Sequence, residues 1–148
     1  MEIKKAMTED FEKIATIEFN SGYFWSRYSY EKELDLAQKI LNEENITTFI
    51  VYVDKNPIGY IYIQFEEGVG DIGMSVIKEM QGRGVGTFMM KNIIKYCEEI
   101  NLKKLKLSVW AGNEPAIRLY KKFNFQIIRE DKNFYNNGDS LIHLELIL

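Results

Sequence analysis

Three glycines fall within five residues of the segment Gln81-Gly82-Arg83-Gly84-Val85-Gly86-Thr87, between a run of strand-forming residues and a long amphipathic stretch. Glycine removes the Cβ atom where a backbone must turn sharply or come close to something else. A strand, this turn, a helix over Gly84–Ile100 and a further strand over Lys104–Val109 make a crossover unit, which sets two strands parallel. The helix start also presents N–H groups without helical partners and the positive end of the helix dipole, the ingredients of an anion site. A turn of this composition serves equally well as a structural corner, and both readings stand at this point.

Composition decides how an anion could be held. The chain has 148 residues, 46% hydrophobic and 28% charged, with 19 Lys+Arg against 22 Asp+Glu for a net charge of −3. That is an ordinary globular make-up and one domain's length, 1–148. An acidic balance does not suit a protein that grips nucleic acid, so a bound anion must be held by local geometry. One cysteine, Cys97, excludes an intrachain disulfide and a thiolate zinc site. Its inward position on the helical stretch reads as core rather than nucleophile, and no metal is expected. The first ten residues lack an apolar signal region, and no apolar run nears the ~18 residues of a membrane span. The expectation is a soluble cytoplasmic protein without nucleic-acid or membrane partners, a monomer or homodimer. The lone His143 removes constellations that need a second imidazole. It lies in the alternating run Leu141–Leu146 and reads as a solvent-side strand residue.

The remaining pattern is mixed α/β. A short strand at Ile3–Met7 precedes a helix capped by Thr8, with Phe11, Ile14 and Ile17 at helical spacing. A second helix is predicted over Tyr30–Leu41. Strands over Thr48–Val53 and Ile58–Phe65 form a hairpin through Asp54–Pro57, and Val69–Ile77 pairs next. On the long helix, Val85, Phe88, Met89, Ile93, Tyr96, Cys97 and Ile100 face inward. A last helix starts near Pro115 and runs to Phe123. Two final strands, Phe125–Asn133 and Ser140–Leu148, flank Asn137-Gly138, a tight-turn dipeptide.

Two phosphate-binding motifs fail on the glycine loop. A P-loop requires Lys then Ser or Thr after its last glycine, whereas Thr87 and Phe88 follow Gly86. A dinucleotide fingerprint requires a third glycine where Thr87 or Met89 stands.

Gln81-x-x-Gly84-x-Gly86 resembles the Q/R-x-x-G-x-G/A signature of the GNAT superfamily of acyl-CoA-dependent N-acetyltransferases. A second segment, Asn113-x-x-Ala116-x-x-Leu119-Tyr120-x-x-Phe123-x-Phe125, is similar to that family's downstream motif, and the strand and helices around the two agree. The resemblance extends over nearly the whole chain, which is somewhat like the ribosomal-protein alanine acetyltransferases. It implies a GNAT fold, a mostly antiparallel sheet with one parallel pair splayed at the cofactor and flanked by helices. It also implies acetyl-CoA (coenzyme A) as cofactor and acetyl transfer to a primary amine by direct attack. The backbone from Gln81, Gly82, Arg83 and Gly84 through Val85, Gly86 and Thr87 would hold the pyrophosphate. Met74, Ser75 and Val76 would be splayed by a bulge and pair with the pantetheine arm, the Val76 amide stabilising the oxyanion. Asn113 and Ala116 would contact the cofactor, and Tyr120 would be the general acid. A phenol near 10 can supply a proton to a thiolate whose pKa is about 8.5.

The base is less defined. In the alanine-acetylating subset a glutamate occupies the position held here by Ser108. Asp71, Glu66 and Glu67 are the carboxylates near the preceding strand, with Asp71 the candidate base acting through water. Asn124 stands where the family has glycine, and asparagine tolerates the left-handed conformation. The aromatic segment Tyr23–Tyr30 falls where the family places an acceptor loop, so Tyr23, Trp25 and Tyr28 are candidate substrate contacts, with Tyr135 bordering the same site. The acceptor is a small-molecule amine or a peptide N-terminus. The alternatives are a dedicated ribosomal-protein N-terminal acetyltransferase and a non-catalytic acyl-CoA-binding module.

Overall fold

The computed structural model describes residues 1–22 and 28–148. Its strands follow the hydrogen-bonded order β1-β2-β3-β4-β5-β7-β6 in a seven-stranded sheet. They are β1 (Glu2–Lys5), β2 (Ile46–Val53), β3 (Asn56–Glu66), β4 (Val69–Val76), β5 (Lys104–Trp110), β6 (Gln126–Asp131) and β7 (Leu141–Ile147). The helices are α1 (Phe11–Phe19), α2 (Tyr30–Asn42), α3 (Val85–Glu99) and α4 (Glu114–Lys122). The expected parallel pair is present: β4 registers with β5 at Val69↔Lys104, Gly70↔Leu105 and Asp71↔Lys106. The pairs β1–β2, β2–β3, β5–β7 and β6–β7 are antiparallel. The chain forms two compact units, Met1–Gln64 with Met74–Ile93, and Phe65–Gly73 with Ile94–Leu148.

In the first unit, α1 contributes Ile14, Ala15 and Ile17, α2 contributes Ala37, and β2 and β3 contribute Ile50 and Tyr60 to one buried cluster. Each large aliphatic side chain so buried is worth about 1.5–3 kcal/mol. Ser29 caps α2, its hydroxyl accepting from the Lys32 amide at 3.2 Å. Thr8 does not cap α1. It opens a 3-10 turn over Thr8–Asp10, and the Asp10 carboxylate accepts from the Met7 amide at 2.8 Å. The longer acidic side chain reaches back across the turn, so the α-helix begins two residues later than a Thr8 cap would give. The β2–β3 turn is made by Asp54 and Lys55, both at positive φ, so the strand resumes at Asn56 rather than beyond Pro57.

A polar group lies within this apolar cluster. The buried Tyr60 hydroxyl donates to Glu18 Oε2 at 2.9 Å, and burial together with the Glu18 charge pushes the phenol well above its ordinary range. Burial, and then the charge of Glu18, also raise the Glu33 carboxyl. A carboxyl that binds its proton more tightly when folded stabilises the fold below its unfolded pKa and loses that contribution as pH rises through the folded value. Glu33→Gln is therefore expected to raise stability at pH 7, and the gain should vanish below about pH 4.5. Urea unfolding of both proteins across that range measures it.

In the second unit, Leu105, Leu107 and Val109 of β5 and Ile142 and Leu144 of β7 are buried. Strand alternation turns Lys104, Lys106, Ser108, His143 and Glu145 to the opposite face. Ile100 lies past the end of α3 and is exposed, against the expectation that it faces inward. The helix stops one residue before it, with Asn101 at positive φ. The β6–β7 connection is longer than a two-residue turn. Asn133, Asn136 and Gly138 all adopt positive φ, and Asn133 Oδ1 accepts from the Gly138 amide at 2.7 Å. These asparagine bonds build a wide loop where the Asn137-Gly138 dipeptide alone signals a tight one.

The end of α4 bears out the reading of Asn124. Its φ is 67°, and the Phe125 and Asn124 amides donate back to the Tyr120 and Lys121 carbonyls at 3.1 and 3.0 Å. Phe125 also packs on Tyr120, ring centroids 5.9 Å apart, which completes a Schellman termination. Asn124→Ala is expected to cost about 1 kcal/mol and Asn124→Gly to be neutral or mildly stabilising. Denaturant midpoints of the two variants check this.

Candidate active site

The glycine loop follows a 3-10 turn, Lys78–Met80, in the first unit. Gln81 acts as a strap. Its Nε2 donates to the Ser21 carbonyl at 2.8 Å and to the Val76 carbonyl at 2.9 Å. The amide thereby joins the loop to the end of β4 and to the chain leaving α1. Gly82 and Gly84 adopt φ of 72° and 84°, a region L side chains rarely enter. A Cβ at either would meet nothing within 4 Å among the described residues. Among those residues, backbone conformation and not crowding requires the glycines. Phe88 donates to the Gly84 carbonyl at 3.0 Å, so the Val85, Gly86 and Thr87 amides precede the first helical bond of α3. Gly84, with no side chain, provides no side-chain cap for them, and they point out of a helix N-terminus suited to an anion.

Beside the loop, β4 changes phase. Gly70 and Ile72 are buried in alternation, and then Ser75 is buried in place of Met74. A strand changes phase in this way by admitting one extra residue. The Ser75 Oγ is buried without a hydrogen-bond partner among the described residues. Gly59 of β3 fits closely here: an added Cβ would lie 3.0 Å from the Ser75 carbonyl oxygen and 3.5 Å from Val85 Cγ1. The residues present suit a phosphate-bearing thioester with a polar arm. They offer oriented amides at the helix start and one orphaned hydroxyl at the strand end.

In the second unit, Asn113 caps α4. Its Oδ1 accepts from the Ala116 amide at 3.4 Å, a long bond, leaving its Nδ2 protons uninvolved in the cap. Tyr120 is buried at 8% exposure, about two helical turns beyond that cap and against Phe125. Cys97 is fully buried, and burial pushes its thiol up to about 12, which suits the core role and not a nucleophile. Asp71 is half-buried and pairs with Lys106 Nζ at 3.7 Å. Burial raises its carboxyl, opposed by Lys106. Glu66 and Glu67 are exposed at the β3–β4 turn. Tyr135 is half-buried, packed edge-on against Phe134 at 5.0 Å, and its phenol is raised by burial and then by Asp139. Tyr28 is exposed. Tyr23 and Trp25 lie outside the described residues.

One group escaped the sequence reading. His143 is not a free solvent-side residue. Its Nδ1 lies 2.8 Å from Ser108 Oγ and its Nε2 2.7 Å from Asp131 Oδ2. The hydrogen bond from His143 holds Asp131 below the ordinary carboxylate range. Arg129 closes the group, its Nε 3.2 Å from Asp131 Oδ1. The signal was present in strand alternation, since Ser108 and His143 are both on polar phases, but the pairing register Ser108↔His143 comes from the sheet. Among the described residues, no group of three or more His, Cys, Asp or Glu side chains could hold a metal ion. No helix among them is long and apolar enough to cross a membrane.

Comparison with known proteins agrees with this geometry. The L-amino acid N-acetyltransferase AaaT of Escherichia coli K12 is 25% identical over 146 residues, covering 93% of this chain and 90% of that protein. An N-alpha-acetyltransferase of Saccharolobus solfataricus is 27% identical over 113 residues, covering 67% of this chain and 68% of that one. The crystal structure of the ribosomal-protein-S18-alanine N-acetyltransferase of Escherichia coli superposes with a TM-score of 0.84 at 19% identity, over 99% of this chain and 92% of that one. The model of the acetyltransferase (GNAT) family matches residues 4–125, which include both the glycine loop and the segment from Asn113 to Phe125. The chain belongs to the GNAT family and is an N-acetyltransferase of that family.

Proposed function

We propose that the protein transfers the acetyl group of acetyl-CoA to a primary amine by direct attack. The observation that carries this is the Gly82–Thr87 loop, with two glycines at positive φ immediately before α3, the second of them, Gly84, directly preceding its first residue, Val85. In this reading the amides from Gly82 to Thr87 hold the pyrophosphate, which lets a chain of net charge −3 bind a polyanion. Acetyl-CoA supplies the activated acyl group when bound. The phase change of β4 and the unpartnered Ser75 Oγ favour an exposed backbone edge at Met74–Val76 for the pantetheine arm. The Val76 amide faces the charge that develops on the acyl oxygen; a fixed donor of this kind is worth about 2.7–4 kcal/mol. Asn113 and Ala116 contact the arm, and Tyr120 donates its proton to the departing sulfur.

For the acceptor, the relatives favour the amino group of a free amino acid or of a peptide N-terminus. Ser108, where the alanine-acetylating subset has glutamate, argues against a dedicated ribosomal-protein enzyme. The test is thiol release from acetyl-CoA with L-amino acids, spermidine and peptides bearing N-terminal alanine, with mass detection of the acetylated amine. Turnover of free amino acids above the peptides is expected. Acetyl-CoA binding without turnover of any amine would contradict the proposal and leave a binding module.

A further inference from the structure

The first unit buries a set of polar groups on the face of its strands that α1 and α2 cover. Glu33 is 4% exposed, Tyr60 6%, Thr48 3% and Ser75 4%. The Tyr60 hydroxyl donates to Glu18 Oε2 at 2.9 Å, and Tyr60 shares one buried cluster with Ile14 of α1 and Ala37 of α2. Glu18 stands four residues after Ile14 and Glu33 four before Ala37, so helical spacing sets both carboxyls on the faces that pack there. Strands β3 and β4 are neighbours joined by a short turn and run antiparallel. The Ile77 amide donates to the Ile58 carbonyl at 3.0 Å, which by direct opposition brings Ser75 beside Tyr60 on one face. Ile77, in the same phase as Ser75, packs against the cluster. Gly59 points the other way, since a Cβ there would lie 3.5 Å from Val85 of α3. Thr48 opposes Tyr62, two residues along β3 from Tyr60. The Ser75 Oγ and Thr48 Oγ1 are both buried without a hydrogen-bond partner among the described residues.

This group has carboxyls of like charge within reach of each other and hydroxyl oxygens left over. Burial and then the Glu18 charge raise the Glu33 carboxyl, so its ionised form costs stability at neutral pH. A primary ammonium meets each of these needs. It is positive, and it carries N–H donors for carboxylate and hydroxyl oxygens alike. We infer that Glu18, Glu33 and Ser75 hold a second ammonium group of the acceptor, one that is not acetylated, and so select amines with two cationic centres. The inference rests on the acetyl-transfer reading above, which assigns the Met74–Val76 edge, and with it the backbone of Ser75, to the thioester. A carboxylate pair favours the charged form of a bound amine, and a protonated nitrogen has no lone pair for attack. The nitrogen in the cluster is therefore the anchor, and the other one reacts. Glu18 and Glu33 repel the carboxylate of an amino acid, so lysine enters side chain first and its α-amine is left to react. That nitrogen bonds to the acyl carbon as the C–S bond breaks, and the proton it loses balances the one gained by sulfur. The products are Nα-acetyl-lysine and the free thiol of coenzyme A. Glu18, the half-buried member, is where the cluster meets the ligand's path.

The test compares L-lysine with L-norleucine, which lacks only the side-chain ammonium, and the diamine cadaverine with pentylamine. Values of kcat and KM are measured at saturating acetyl-CoA for wild type, Glu33→Gln, Glu18→Gln and Ser75→Ala. Mass spectrometry assigns the acetylated nitrogen. Glutamine at position 18 keeps an oxygen for the Tyr60 hydroxyl, and melts with calorimetric acetyl-CoA titration on the same samples confirm folding and cofactor binding. Wild type is expected to favour each dication by about tenfold or more in kcat/KM, the scale of a hydrogen bond to a charged group. Lysine should be acetylated at its α-nitrogen. In both glutamine variants the preference should fall to within about threefold, through a rise in KM for the dications, and Ser75→Ala should lower it in the same way. Equal kcat/KM for lysine and norleucine in wild type would overturn the inference. So would a preference that survives both glutamine substitutions, or acetylation of lysine at its side chain. A rise in melting temperature with potassium chloride that is lost in Glu33→Gln, without any dication preference, would make this an inorganic cation site and overturn it as well. Failure of wild type to bind acetyl-CoA is the separate result that removes the acetyl-transfer reading. Acetylation of amines without regard to a second charge removes this inference alone.

Discussion

Tyr120→Phe is expected to lower kcat by about 10³-fold, within the range for loss of a positioned general acid, while leaving acetyl-CoA affinity nearly unchanged. A thermal melt of the same variant separates the kinetic effect from any change in stability. Tyr120 is buried, its ring rests on Phe125, and its carbonyl accepts from the Phe125 amide at 3.1 Å. Phenylalanine preserves the ring and the backbone and removes the hydroxyl alone. A thiolate leaving without that proton must depart as an anion, and the cost appears in the step that breaks the C–S bond. A fall in kcat and kcat/KM together is the signature of an interaction made in the transition state. Steady-state kinetics at saturating acetyl-CoA measure it. A variant turning over at the wild-type rate would remove Tyr120 from the acid role.

Gly84→Val is expected to weaken acetyl-CoA binding by at least about 10²-fold, which is ~2.7 kcal/mol. Gly84 adopts φ 84° and a Cβ there meets nothing within 4 Å among the described residues, so the cost does not come from a clash with them. It comes from the backbone, because a β-branched residue in the left-handed region is strained by roughly 1–2 kcal/mol. The loop relieves that strain by rotating its peptides, and the amides of Val85, Gly86 and Thr87 lose their common direction. The Gln81 bonds to the Ser21 and Val76 carbonyls lie upstream of the glycine and hold the rest of the loop, so stability should fall by no more than the strain itself. Calorimetric titration with acetyl-CoA and a denaturant melt of the same variant separate the two effects. Equal affinities in variant and wild type would show that the amides of the α3 start do not hold the ligand.

How much of this was legible in the sequence differs from element to element. Glycines between a strand and an amphipathic helix pointed to a sharp turn and a parallel crossover; Gly82 and Gly84 take positive φ in that turn, Gly86 lies within α3, and the parallel pair is present. Asn124 at positive φ was readable because asparagine is tolerated there. Thr8 was misread because capping depends on which acceptor reaches back, and Asp10, two residues on, does so. The wide loop before β7 was misread because two asparagines and a glycine, Asn133, Asn136 and Gly138, divide the turn among them. His143 was the most informative miss. Alternation put it on a polar phase, but only strand register set it opposite Ser108 and within reach of Asp131. A constellation assembled from three strands leaves no spacing in the sequence, whereas the loop and the Asn113–Phe125 segment are each continuous.

The central claim is that this acidic chain binds acetyl-CoA through the backbone of its glycine loop. Isothermal titration of wild-type protein with acetyl-CoA tests it most directly. Saturable binding at one site per chain, weakened by Gly84→Val and retained in Tyr120→Phe, is the predicted result. The absence of a saturable signal from correctly folded wild type would contradict the account.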